Sequence, residues 1–251
     1  MSTEDLLYEL FSDMPRQGPG SNEETRRAWA ALTGLPPAPA ILDVGCGSGT
    51  QTLELARLSH GRITALDSHQ PFLDRLDRAA AKAGLAQHIR IVNASMLAMP
   101  FEHEAFDIIW SEGAIFVIGF EAGLRQWRPL LKPGGYLVVS EMTWLRPNAP
   151  EPVVEYFRNE YPAMTDAAAN LQVAIRAGYR PLTHFSLPEH GWRDNYYVPL
   201  QERVLRFKSK HVGQPEAAAF TDAMQREIDM YAAYSDWYGY VFYLLQKPLQ
   251  D

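Results

Sequence analysis

From residue 40 onward, short apolar runs rich in β-branched residues alternate with longer segments whose apolar residues recur every three or four positions. That alternation leaves few folds open. A strand apolar on both faces has to be covered on both, and consecutive parallel strands need a crossover long enough to be a helix. The expected class is therefore α/β, with right-handed crossovers and a mostly parallel sheet between two layers of helix. The strand candidates are residues 40–44, 62–66, 89–93, 106–110, 135–140, 181–187 and 238–246. The last two would close the sheet as an antiparallel pair, giving seven strands.

Between these strands, residues 51–58, 70–83 and 121–131 carry apolar residues at three- and four-residue spacings, each able to lay one face on the sheet, and residues 166–178 and 216–233 also read as helices. Lys132-Pro133-Gly134-Gly135 reads as a helix-to-strand boundary with the fifth strand just after it, since proline ends helices and glycine tolerates tight turns. Gly178 reads as a helix C-cap. Residues 1–39 stand outside the alternation as a helical cap and loop. Ser21 and Glu24 fit a capping box opening a helix through Leu32, Arg16-Gln17-Gly18-Pro19-Gly20 is a rigid loop before it, and 32–39 is a linker. The main domain then runs over 40–251, with a lid insertion at about 189–213 that has no clean period.

Composition narrows the partners. A net charge of −7 argues against nucleic acid, which is bound through clustered Lys and Arg. No apolar run approaches the roughly 20 residues of a membrane span. Cys46 is the single cysteine, so no internal disulfide can form, and the first residues lack a secretory pattern, which fits a reducing cytoplasm. The histidines lack paired metal spacing, so no metal is expected. The remaining expectation is a small-molecule partner and a monomer or homodimer.

The informative segment is Ile41-Leu42-Asp43-Val44-Gly45-Cys46-Gly47-Ser48-Gly49-Thr50, an apolar strand entering a glycine-rich turn and then a helix. Such a turn lets backbone approach a ligand at the carboxyl end of a strand. The spacing is G-x-G-x-G, with Thr50 where a dinucleotide fingerprint needs its third glycine, and Asp43 precedes the first glycine by two residues. An ammonium-bearing ligand is better served than a pyrophosphate.

This segment resembles the first motif of the class I S-adenosylmethionine-dependent methyltransferases, small-molecule branch, and the resemblance continues in register. Ile63-Thr64-Ala65-Leu66-Asp67 is similar to the second strand ending in the acid that holds the ribose hydroxyls. Residues 93–101 are similar to the third-strand motif, with Ser95 where an adenine-binding acid usually stands, and 106–112 to the fourth strand and its end. The resemblance implies a Rossmann-like three-layer αβα sandwich with the last strand antiparallel. It also implies S-adenosyl-L-methionine as cofactor and S-adenosyl-L-homocysteine as product. The cofactor contacts it implies are Asp43, Gly45, Cys46, Gly47, Gly49, Asp67, Ser68, Ser95, Met96, Ser111 and Glu112.

Glu112 and His184 are the candidates for removing a proton from an acceptor. A loop carboxylate facing water is the plain alternative for Glu112. Arg16 could pair with an acceptor carboxylate. Trp192, Tyr196 and Tyr197, with Glu189 and His190, fall where an acceptor pocket is covered, although aromatics there also serve as packing. Cys46 reads as a small buried hydrophobe in the loop, because nothing nearby in sequence would activate a thiol. Two rival functions stay open: a non-catalytic S-adenosylmethionine-binding regulatory or assembly protein, and a nicotinamide-dependent oxidoreductase, which needs the other glycine spacing.

Overall fold

The computed structural model describes residues 2–249. Ile41, Leu42 and Val44 are all fully buried, as a strand covered on both faces requires, and they form β1 (Ala40–Val44) in the middle of the sheet. The other strands are β2 (Arg62–Asp67), β3 (Ile89–Asn93), β4 (Phe106–Ser111), β5 (Leu131–Trp144), β6 (Thr165–Asp166), β7 (Arg180–Ser186) and β8 (Tyr238–Gln246). Their order is β3-β2-β1-β4-β5-β8-β7, with the two-residue β6 pairing beside β5. β8 is antiparallel to both of its neighbours, while β1 to β5 are mutually parallel. The seven expected strands are all present, and the strand order reverses between β1 and β4, where open α/β sheets bind ligands at the carboxyl ends.

The helices are α1 (Thr3–Phe11), α2 (Asn22–Ala30), α3 (Thr50–Ser59), α4 (Gln70–Lys82), α5 (Phe120–Trp127), α6 (Glu151–Glu160), α7 (Ala167–Arg176), α8 (Glu189–Trp192), α9 (Val198–Lys210) and α10 (Pro215–Tyr234). Alternate strand residues feed two apolar layers. Ile41, Ile63, Ile108, Trp110, Val138 and Phe242 face one, and Leu42, Leu66, Ile109, Leu137, Val139 and Tyr243 the other. In α4 the buried Phe72, Leu73, Leu76 and Ala80 repeat at helical spacing, each large side chain contributing about 1.5–3 kcal/mol by leaving water. No helix among the described residues is long and apolar enough to cross a membrane.

Several local expectations are corrected. β5 starts at Leu131, so Lys132 to Gly135 is a bulge inside the strand, where the register with β4 shifts between Phe106 and Ile108. α2 ends at Ala30, and the Ser21 side chain accepts from the Glu23 and Glu24 amides. Glu24 does not reach back to the Ser21 amide; its carboxylate takes the Ser21 hydroxyl instead. Asp166 belongs to β6 and caps α7, accepting from the Ala169 amide at 2.8 Å. Residues 189–210 are helical, because α8 continues through a π-turn at Arg193–Tyr197 into α9, and 211–213 form a turn. α1 and α6 were not anticipated.

Candidate active site

After β1 the chain bends on three glycines with φ of 70°, 53° and 83° at Gly45, Gly47 and Gly49, values that L side chains rarely adopt. Space forbids side chains as well. A Cβ on Gly45 would sit 2.4 Å from the Ala114 Cβ, and one on Gly49 2.2 Å from the Leu76 Cδ1. The amides of Gly45 and Cys46 both donate to the Leu66 carbonyl, at 2.8 and 3.0 Å, which pins the bend to β2. Asp67, at the end of β2, accepts from the Gly47 amide on Oδ2 and from the His69 amide on Oδ1, each at 2.9 Å. Four backbone donors thus fix a carboxylate and a loop side by side.

They face a cavity of about 290 Å³, at the small end of the roughly 300–1,000 Å³ usual for ligand clefts. Of the anticipated residues, Arg16, Gly45, Cys46, Gly47, Asp67, Ser68, Met96 and Glu112 line it. Tyr8, Gln17, Phe72 and Phe116, which belong to no motif, line it too. Tyr8 stacks on the His69 ring at 3.5 Å, and the Gln17 Oε1 accepts from the Ser48 amide at 2.8 Å. The N-terminal segment therefore lies as a strap over the glycine bend. A larger groove of about 710 Å³, bordered by Trp144 and Asp166, contains none of the motif residues.

Other expected contacts lie elsewhere. Asp43 is fully buried beneath the bend, where its carboxylate accepts from Thr52 Oγ1 at 2.6 Å and Gln51 Nε2 at 3.4 Å. Burial pushes its carboxyl up to about 7, the Thr52 hydrogen bond working against that rise. Asp43 organises the loop from below and does not line the cavity. Gly49 caps α3 against Leu76 and also stands off the cavity. Ser95 is exposed, its hydroxyl accepting from the Leu97 amide at 3.2 Å as a turn former. Ser111 is fully buried, and its hydroxyl has no hydrogen-bond partner. Cys46 is a free, buried thiol that burial pushes well up, away from the reactive thiolate.

Glu112 lines the cavity but its carboxylate is occupied. Oε2 takes Arg16 Nη1 at 3.2 Å, while Oε1 takes Thr25 Oγ1 at 2.7 Å and Trp110 Nε1 at 2.9 Å. Arg16 in turn donates to Asn22 Oδ1 at 2.7 Å. With these partners neither residue is a free base or a free anion receptor. His184 is exposed on the edge strand β7, stacked on Tyr243, and does not line the cavity. Trp192, Tyr196 and Tyr197 are buried; Trp192 stacks on Tyr231 at 4.9 Å and Tyr196 on Phe11 at 6.2 Å. They are core, with Tyr197 also lining a second cavity that shares Phe116 with the first. Glu189 pairs with Arg193 on the surface, and His190 reaches Ser21 and Glu24. Among the described residues no cluster of three or more His, Cys, Asp or Glu could hold a metal.

Comparison with known proteins bears on the fold and on the segment that carries the glycine bend. Residues 41–135 match the model of a methyltransferase domain family. A sterol 24-C-methyltransferase of Gibberella zeae is 31% identical over 113 residues, 45% of this chain and 29% of that protein. The chain thus spans under a third of that relative's length. The ubiquinone/menaquinone biosynthesis C-methyltransferase UbiE of Ruegeria is 27% identical over 241 residues, 92% of this chain and 85% of its own. Among solved structures, an S-adenosylmethionine-dependent methyltransferase of Geobacter sulfurreducens in complex with S-adenosyl-L-homocysteine has the same fold. Its TM-score is 0.81 at 21% identity, covering 96% of this chain and 97% of that one. Motif, sheet order and matched segment together liken the chain to the class I S-adenosylmethionine-dependent methyltransferases, over residues 41–135 in sequence and over nearly the whole chain in fold.

Proposed function

We propose that this chain transfers a methyl group from S-adenosylmethionine to a small-molecule acceptor. The observation that carries the reading is Asp67, held by two backbone amides beside the glycine bend at the mouth of the β1/β4 crevice. Each of its oxygens retains a lone pair after accepting one amide, enough to receive the two hydroxyls of a ribose.

The amides of the bend argue against a pyrophosphate. Gly45, Cys46, Gly47, Ser48 and Gly49 all donate within the protein, to Leu66, Leu66, Asp67, Gln17 and Cys46. Arg16, the one basic side chain lining the cavity, is paired with Glu112. A dinucleotide would find a carboxylate and few free donors where it needs several. A zwitterionic amino-acid tail and an uncharged sugar fit that surface better.

In this reading the glycine bend holds the tail, Asp67 the sugar, and Met96 with Ser68 borders the base. When bound, S-adenosylmethionine supplies an electrophilic methyl on a positively charged sulfur. The protein's part is placement and exclusion of water, for which the strap of Tyr8 and Gln17 is positioned. Residues 1–39 act as a cap on a catalytic domain of 40–251. A cytoplasmic location and a monomeric or homodimeric state complete the reading.

Calorimetry with S-adenosylmethionine, S-adenosylhomocysteine and NAD, followed by an assay of S-adenosylhomocysteine release over thiols, acids, amines, phenols and quinols, tests it. Binding of the first two and turnover of at least one acceptor class are expected. NAD binding in their place overturns the reading, and tight cofactor binding with no product across the panel favours the non-catalytic regulator.

A further inference from the structure

The second cavity, of about 220 Å³, adjoins the first through Phe116, and the Tyr240 ring on its wall would lie 3.3 Å from a Cβ placed on Gly113 of the first. Its wall is mostly aromatic, with Tyr156, Phe157, Tyr161, Tyr197, Tyr238 and Tyr240 contributing. Glu160 and Glu227 are its charged residues, and no Lys, Arg or His lines it. Glu227 accepts from the Tyr197 hydroxyl at 3.2 Å, and among the described residues it has no ion pair.

A third carboxylate stands behind the wall. Glu141 is 2% exposed, with neither oxygen in a hydrogen bond. The Tyr161 hydroxyl lies near enough to favour its charged form without reaching hydrogen-bond geometry. Its charge is felt by Tyr161 and Tyr240, both on the chamber wall.

We propose that this aromatic, acid-lined chamber receives the methyl acceptor and selects one carrying a positive charge or a protonated amine, held against tyrosine faces with Glu227 as its counter-charge. The identification of the occupant as the acceptor rests on the methyltransferase reading; the preference for a cation does not. Ring faces attract cations through their quadrupole, by roughly 0.5–2 kcal/mol per desolvated contact. Carboxylates without a basic partner in a confined space add to that attraction and repel phosphates and carboxylates. Burial pushes the Glu227 carboxyl up to about 7, a desolvation cost that a bound cation offsets.

Three probes of one shape separate the possibilities: choline, its uncharged isostere 3,3-dimethylbutan-1-ol, and 3,3-dimethylbutanoate. Titrated into the full chain saturated with S-adenosylhomocysteine, choline is expected to bind roughly tenfold or more tightly than the alcohol, and the anion not at all. Glu227→Gln is expected to reduce the preference for choline over the alcohol severalfold, the ring faces retaining the remainder, while leaving S-adenosylhomocysteine affinity unchanged, which also reports that the variant is folded. The exposed Glu160→Gln provides a second variant, with a smaller loss of preference. Equal or tighter binding of the alcohol or the anion overturns the proposal, as does a cation preference undiminished in both variants. If S-adenosylhomocysteine itself fails to bind, the methyltransferase reading falls, and the same three titrations without it still decide the character of the chamber.

Discussion

Arg16 Nη1 stands 3.2 Å from Glu112 Oε2, with 8% and 3% of the two side chains exposed, so a loop 96 residues upstream is tied to the end of β4. Placing two charges out of water is costly, and the hydrogen bonds from Thr25 and Trp110 to the same carboxylate are what make the arrangement affordable. The pair ties the strap to the end of β4 at the wall of the cavity.

Removing one member leaves the other buried without its counter-charge. Glu112→Gln is expected to cost about 3 kcal/mol, lowering Tm by roughly 6–12 °C for a domain of this size, and Arg16→Met in the same chain to recover part of that loss. With the strap loosened, KM for S-adenosylmethionine rises more than kcat falls. A drop in kcat at unchanged KM would make Glu112 a proton acceptor.

Gly45 combines a left-handed backbone with the Ala114 side chain opposite it. Gly45→Ala is expected to weaken S-adenosylhomocysteine binding at least tenfold, since both the bend and the β4 loop have to move. Adding Ala114→Gly removes the clash and leaves only the conformational cost of about 1 kcal/mol. Calorimetry of the single and double variants checks this: without partial rescue by the second change, the contact is not what makes glycine necessary.

Burial raises the carboxyls of Asp43, Glu141 and Glu227 to about 7. The folded chain then keeps protons that the unfolded chain releases near 4, so the stability these groups allow is full at acid pH and is lost as pH climbs from about 4 to about 7. Thermal melts at pH 5 and pH 8 are expected to show the higher Tm at pH 5. Glu141→Gln is expected to match the parent at pH 5 and to exceed it at pH 8, by roughly 2–4 °C for each kcal/mol regained. An unchanged slope would remove Glu141 from the account.

His184 and Trp192 separate surface from core. His184→Ala, on the exposed face of an edge strand, is expected to leave turnover within twofold of the parent, a change of about 0.4 kcal/mol. Trp192→Ala empties a site packed by Tyr231 and Tyr240 and is expected to cost about 3–5 kcal/mol in denaturant melts.

The strands were legible where pattern and punctuation coincide. β1, β3 and β8 have the expected bounds because apolar runs stop at residues that turn the chain. β5 was read short because a proline and two glycines look the same in a bulge as at a helix end, and β6 is too short to carry any period. In the site, the glycine bend and Asp67 were legible because their partners are close in sequence. Tyr8, Gln17 and the Arg16–Glu112 pair were not, since nothing in a helical period says which distant surface a helix will meet. Trp192 and Tyr196 were read as pocket cover because burial and recognition favour the same aromatic residues.

The strap also leans on the helical stretch from α8 to α9. The Gly20 amide donates to the Gly191 carbonyl at 3.0 Å, Asn195 Nδ2 to the Gly20 carbonyl at 2.8 Å, and Arg203 Nε to the Leu10 carbonyl at 2.6 Å across 193 residues. During synthesis, residues 8–20 leave the ribosome long before the helices that clamp them exist. The ties of the strap to residues up to 112 can form first, and its clamping by residues 191–203 belongs to a later stage of folding, when contacts of such long separation can form.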